Sequence, residues 1–168
     1  MNRLSAAPLL YALLFSAGCG SDGPTAVNQV AGFGSLSALV NSVAFTAGTG
    51  STAGFGGNVL EIDALMVVGG EYRLLQLEVQ NVTGPGTYTF SPLAGAGIYY
   101  EANNADFDDE AVWDSLEPGG SGQVVITLST ASRLEGTFSF VAPPENAKAT
   151  GTKTVTNGVF SVIPNSGG

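Results

Sequence analysis

The sequence predicts an all-β protein, an antiparallel two-sheet sandwich, with a small closed barrel as the alternative. Three observations carry this expectation. From Gly34 onward apolar and polar residues alternate with period two, and no segment shows convincing helical periodicity. Strand-like runs recur about every ten residues, the rhythm of sandwiches and barrels. The chain holds 24 glycines, is 44% apolar and only 11% charged, a composition of short strands joined by glycine-rich turns rather than of disorder.

The chain opens with Arg3, the apolar run Leu9–Phe15, and the small residues Ser16, Ala17 and Gly18. This is the order of a secretory signal peptide. The run is far short of the ~20 residues that a membrane-spanning helix needs. The next residue, Cys19, is the single cysteine of the chain. Ser16-Ala17-Gly18-Cys19 resembles the lipobox of bacterial lipoprotein signal peptides, with Ser16 where that family prefers Leu. The resemblance implies cleavage before Cys19 and acyl chains on the new N-terminus. It also implies that the membrane is a partner through that lipid. Each buried CH₂ contributes about 0.8 kcal/mol, and two or more chains anchor stably. Ordinary secretion with a free thiol is the alternative. Gly20 occupies the place where some bacteria carry an acidic inner-membrane retention signal, so outer-membrane sorting is expected. The expected organisation is a leader over 1–18, a tether over 19–33, one β domain over 34–164 and a tail over 165–168.

Within the domain, GSLSALVNSVAFTA reads as a hairpin turning near Val40-Asn41-Ser42-Val43. Asn58–Val67 places Leu60, Ile62, Ala64 and Met66 opposite Glu61 and Asp63. Glu71–Gln80 places Leu75, Leu77 and Val79 opposite Gln76, Glu78 and Gln80. Gly122–Ala131 groups Val124, Ile126 and Leu128, and Arg133–Ala142 groups Phe138 and Phe140. Val159–Ile163 reads as a last strand, and Asp108–Leu116 as one helical turn or a strand. Gly69-Gly70 and Pro85-Gly86 mark tight connections. Asn157-Gly158 fits either a two-residue hairpin or a bulge inside one strand.

Taken in order, VNSVAFTA, GPGTYTF, SGQVVITL, RLEGTFSFVAPP and TVTNGVF resemble a family of small bacterial lipoprotein domains without an assigned function. The resemblance runs from about Leu36 to Val162. It implies an envelope-anchored β domain and brings no catalytic residues.

Charge and residue types narrow the chemistry. The formal charge is −9, and loss of Arg3 with the leader makes it more negative still. Arg73, Arg133, Lys148 and Lys153 are too few and too scattered to neutralise a phosphate backbone, so nucleic acid is not an expected partner. There is no histidine, so Ser-His-Asp and Cys-His catalysis cannot be built, and zinc lacks its usual ligands. Gly48–Gly54 looks like a phosphate loop only superficially: it lacks the Lys-Ser/Thr ending, and reads as a turn.

The acidic stretch Asn103–Glu117 stands out. Asn104, Asp106, Asp108 and Glu110 place oxygen ligands at alternate positions, as a calcium loop does, although glycine is missing at the sixth place and Ser115 stands at the twelfth. A solvated acidic tip is the simpler expectation, and no cofactor is required. Tyr99, Tyr100, Phe107 and Trp113 flank this stretch, either as contacts for a carbohydrate or protein partner or as caps on the core. A glycosidase pair would need carboxylates such as Glu61, Glu78 or Glu135 to converge in a groove, yet alternation puts each on the solvent face. The expectation is a non-enzymatic binding or structural module acting as a monomeric domain.

Overall fold

The computed structural model describes residues 33–163 apart from Asp106 and Asp108. It contains eleven strands among these residues: β1 Gly34–Val40, β2 Val43–Thr46, β3 Thr52–Gly56, β4 Val59–Val68, β5 Glu71–Val79, β6 Gly86–Thr89, β7 Gly95–Ala102, β8 Ala111–Asp114, β9 Ser121–Thr130, β10 Arg133–Ala142 and β11 Lys153–Val162. One sheet has the order β2-β1-β11-β10-β9-β6 and the other β3-β4-β5-β7-β8, with every pairing antiparallel. The sheets are separate and face each other, so the sandwich is the architecture and the closed barrel is not.

Alternation builds the core as the sequence predicts. Leu60, Ile62 and Ala64 of β4 and Leu75, Leu77 and Val79 of β5 are fully buried. They meet Leu36, Val124, Ile126, Leu134, Phe138, Phe140, Val155 and Phe160 from the opposite sheet. Phe33 is buried as well, and its carbonyl accepts from Ile163 N–H at 2.9 Å. It belongs to the packed domain rather than to the tether expected over 19–33. The leader, Cys19 and the tail lie outside the described residues.

Turn chemistry fixes two hairpins. Asn41 and Ser42 both adopt left-handed φ, 47° and 67°, in the two-residue turn joining Val40 to its partner Val43. Gly69 and Gly70 do the same between Val68 and Glu71. Pro85-Gly86 is different. Residues 80–85 carry the chain from one sheet to the other, with Val82 buried, and Gly86 starts β6. The Gly48–Gly54 segment is a turn only at its start, since Thr52–Gly56 forms β3 against β4.

Asn157-Gly158 is a bulge within β11. The register skips there against both neighbours, from Phe138 to Phe140 on β10 and from Ser37 to Leu39 on β1. The skip changes parity, so Val155 before it and Phe160 and Val162 after it all reach the core. The last strand is therefore longer than Val159–Ile163. A second irregularity, between Glu135 and Gly136 on β10, leaves Thr127 of β9 unpaired and places Leu128 opposite outward-facing Glu135. Leu128 is consequently exposed, against the expectation that it joins Val124 and Ile126. Ala111–Asp114 is a strand, which settles the choice over Asp108–Leu116.

A charged mouth as the candidate functional site

Strand parity turns charged side chains inward at one end of the sandwich. Ala64, Leu75, Tyr99 and Trp113 form one cross-strand row, and Met66, Arg73, Glu101 and Ala111 form the next row out. Arg73 is in phase with Leu75, Leu77 and Val79, and Glu101 with Tyr99. From the opposite sheet Lys153 is in phase with buried Val155. The apolar interior thus gives way to ionic groups within one residue pair along each strand.

These groups are tightly engaged. Lys153 Nζ lies 2.7 Å from Glu101 Oε1, 4.2 Å from the Trp113 ring centroid and 5.3 Å from that of Tyr99. The Trp113 indole donates to Gly151 O at 2.9 Å, which fixes the ring under the ammonium. Arg73 Nη2 donates to Glu71 Oε2 at 3.1 Å. Arg73 Nε is shielded from solvent and has no hydrogen-bond partner. Burial opposes the Arg73 charge, but the Glu71 hydrogen bond and the anionic neighbours outweigh it and hold the pKa above its ordinary value. Burial, reinforced by the Glu101 charge, pushes the Tyr99 phenol up, so it stays neutral.

Two adjoining hollows open here. One, of about 170 Å³, is lined by Val40, Asn41, Val43, Ala44, Phe45, Met66 and Tyr99 together with Arg73, Glu101 and Lys153. The other, of about 320 Å³, is lined by Glu71, Glu101, Ala102, Asn103, Asp109, Ala111 and Lys148. Glu101 is common to both. Lys148 pairs with Asp109 on the rim. Three of the four basic side chains of the described residues therefore gather at this mouth on an otherwise acidic protein. Arg133, the fourth, pairs with Glu135 at 2.6 Å on the outer face of β10.

The predicted aromatic residues divide between the core and the outer face, and Tyr99 and Trp113 take the cap alternative. Tyr99 and Trp113 are core residues, 2% and 3% exposed, with ring centroids 5.9 Å apart. They cap the core and offer no exposed stacking face. Tyr100 follows Tyr99 on the same strand and so faces the other way, where its hydroxyl donates to Gln76 Oε1 at 3.2 Å. Burial first, and then the Glu145, Asp114, Asp63 and Glu110 charges, push its pKa up. Phe107 is half-buried and edge-on to Tyr72 and Tyr100, at 6.2 and 6.5 Å, with a left-handed φ of 53° that is unusual for an aromatic.

Of the calcium-loop residues, Asn104 is exposed, and the Glu110 carbonyl accepts from Asn146 Nδ2 at 3.0 Å. Asp106 and Asp108 lie outside the described residues. Among the described residues no group of three or more acidic, cysteine or histidine side chains is placed to hold a metal ion. Glu61, Glu78 and Glu135 stand on outer faces as expected, with Glu61 directly opposite Glu78. Asp63 accepts from Gln76 Nε2 at 2.9 Å and Thr52 Oγ1 at 3.4 Å. Burial raises the pKa of both Glu61 and Asp63, and the Asp63 and Glu78 charges add to the rise at Glu61.

The sequence signal for the mouth was parity. Arg73, Glu101 and Lys153 each occupy a core-facing position of a strand, where a charge costs free energy unless it is paired. Extending the Leu75-Leu77-Val79 phase by one step back to Arg73 would have found the first of them.

Fold and site together define an antiparallel two-sheet β-sandwich domain whose core ends in an ionic mouth. The chain belongs to the family described as Domain of unknown function (DUF6252), whose model matches residues 34–164. No curated protein and no solved structure matches the chain.

Proposed function

We propose that this protein is a non-enzymatic binding module, held at a bacterial envelope by lipid on Cys19, with the Arg73–Glu101–Lys153 mouth as its binding end. The observation that carries the reading is the inward placement of these three charges around hollows at one end of the sandwich. Ionic groups aimed into an apolar interior cost more than they return to folding, and such clusters concentrate where ligands bind. The polarity of β1 supports the arrangement. Phe33 starts the domain at one end, and Asn41 lines the hollow at the other, about 26 Å away at the usual rise per residue. A chain tethered through its N-terminus would present the mouth away from the membrane. The lipobox-like Ser16–Cys19 and Gly20 after it favour the outer membrane.

Feeding expressing bacteria a clickable palmitate analogue tests the anchor. Wild type is expected to take label and Cys19→Ser to take none; an unlabelled wild type contradicts it. The binding end is tested by mapping amide shifts of the ¹⁵N-labelled chain against a panel of small acids, sugars and peptides. Shifts are expected around Asn41, Arg73, Glu101 and Lys153. Hits confined to the opposite end, around Phe33 and Leu93, would contradict the assignment.

A further inference from the structure

We infer that the outer face of the six-stranded sheet is a pairing surface for a second copy of this chain, so that the working unit is a dimer rather than the single domain expected from the sequence. The inference depends on neither the mouth nor the anchor. Charge, self-complementarity and area carry it.

Charge is missing from this face. Register places Thr46, Ser37, Val159, Thr137, Val125 and Thr87 in one outward row that crosses all six strands. The row is uncharged. The next two rows toward the mouth, from Ala44 to Thr89 and from Thr154 to Ser121, are uncharged as well. Among the described residues, the charged side chains of the face are Arg133 and Glu135, which pair at 2.6 Å and cancel. The five-stranded sheet is the reverse. Glu61, Asp63, Glu78 and Asp114 lie on its outer face, and Arg73, the one basic residue of its strands, points inward. The chain carries a formal charge of −9, so a neutral face of this extent is a departure from its general surface. Depletion of charge is the compositional mark of an interface centre.

The face also suits itself. In a two-fold pair the same surface patch meets its own copy. Serine and threonine hydroxyls both donate and accept, so each pairs with its own kind. Val159 is 52% exposed on β11, the third of the six strands, which puts a bare apolar group near the middle of the row. Copies meeting through the acidic sheet would bring like charges together.

The area is sufficient. Six strands span about 24 Å, and four outward rows span about 25 Å along them. A face-to-face pair therefore buries on the order of 1,200 Å² in total, above the roughly 1,000 Å² that a specific interface needs. Sheets packed in this way align their strands to within about 30°. A two-fold axis along the strands keeps both Phe33 ends on one side and both mouths on the other, as two chains tethered at their N-termini require.

The test is sedimentation equilibrium of the full chain extracted in density-matched detergent, with thiol crosslinking in intact cells as a second readout. A monomer–dimer equilibrium is expected. Val159→Glu places a charge at an exposed position and is expected to weaken the dimer at least about tenfold. Glu61→Lys, on the opposite sheet, is expected to leave it unchanged. Raising NaCl from about 0.05 M to about 0.5 M is expected to tighten the dimer, because salt screens the repulsion between two acidic chains. In cells co-expressing two lengths of tagged chain, a short bismaleimide is expected to join Val159→Cys copies into a mixed band. Glu61→Cys and wild type, which carries Cys19 alone, are expected to stay unjoined. A chain that is monomeric at about 100 μM and unjoined in cells overturns the proposal. A dimer weakened by Glu61→Lys and indifferent to Val159→Glu puts the contact on the other sheet and overturns it equally. Val159→Cys joined only to a different protein gives the face another partner and overturns the second copy.

Discussion

The Lys153 ammonium sits 4.2 Å from the centroid of the Trp113 ring and is bonded to Glu101 at 2.7 Å. Two rings and a carboxylate thus hold one cation at the boundary between core and solvent. Lys153→Met leaves Glu101 partly buried without its cation and strips the charge from the ring face. We expect a loss of about 1–3 kcal/mol in unfolding free energy, moderated by the partial exposure of the pair. Trp113 is the only tryptophan, so its emission reports on the mouth directly and is expected to change in the folded variant. A double-mutant cycle with Glu101→Gln isolates the coupling.

Glycine at position 122 is required by packing. A Cβ there would lie 2.5 Å from Phe140 Cβ and 2.6 Å from Phe90 Cδ2. Gly122→Ala is expected to destabilise by about 1–3 kcal/mol, as overpacked cores do. Gly54→Ala meets nothing within 4 Å and serves as the control, expected to be neutral or slightly stabilising. Denaturant titration of the two variants checks the contrast.

The Asn41-Ser42 turn borders the smaller hollow and carries Ser42 at a φ of 67°. Ser42→Gly removes that strain and is expected to stabilise by about 0.5 kcal/mol. Asn41→Ala loses the bond from Thr154 N–H to Asn41 Oδ1 at 2.7 Å and is expected to cost about 1–2 kcal/mol. Thermal unfolding separates the two signs.

Much of the architecture was legible in the sequence because period-two alternation is a direct consequence of strand geometry. Leu75, Leu77 and Val79 fall where alternation puts them. Leu128 does not, because Thr127 is an unpaired residue that resets the phase, and nothing local to Leu128 announces it. Val155 and Phe160 look out of phase until the Asn157-Gly158 bulge is counted. The Asn41-Ser42 turn was legible from its residue types, whereas the crossing over 80–85 was not, because Pro85-Gly86 fits a tight turn equally well. At the mouth the aromatics drew attention through composition, but facing is set by parity, which sends Tyr99 inward and Tyr100 outward. The Lys153–Glu101 ion pair joins strands distant in sequence, and only topology brings it beside Arg73.

Glu61 faces Glu78 across β4 and β5, and burial raises the Glu61 pKa. A carboxyl group with a raised native pKa binds its proton more readily in the folded state. Its contribution to stability therefore falls as pH rises from the unfolded value through the folded one. Glu61→Gln removes that penalty. It is expected to raise Tm by about 1–2 °C at pH 7, with the gain vanishing near pH 3 where wild-type Glu61 is protonated. Paired melts at the two pH values check it.

The central claim is that the inward charges of the mouth serve a ligand rather than the fold. Replacing all three at once, as Arg73→Met, Glu101→Leu and Lys153→Met, leaves none of the three as an unpaired charge. Guanidinium unfolding of the triple variant, followed by Trp113 emission, measures what the cluster contributes. A stability equal to or above wild type is the predicted result, because apolar groups of similar volume usually match or better a desolvated ionic cluster. A loss of about 3 kcal/mol or more would contradict the claim and make the cluster a structural cap.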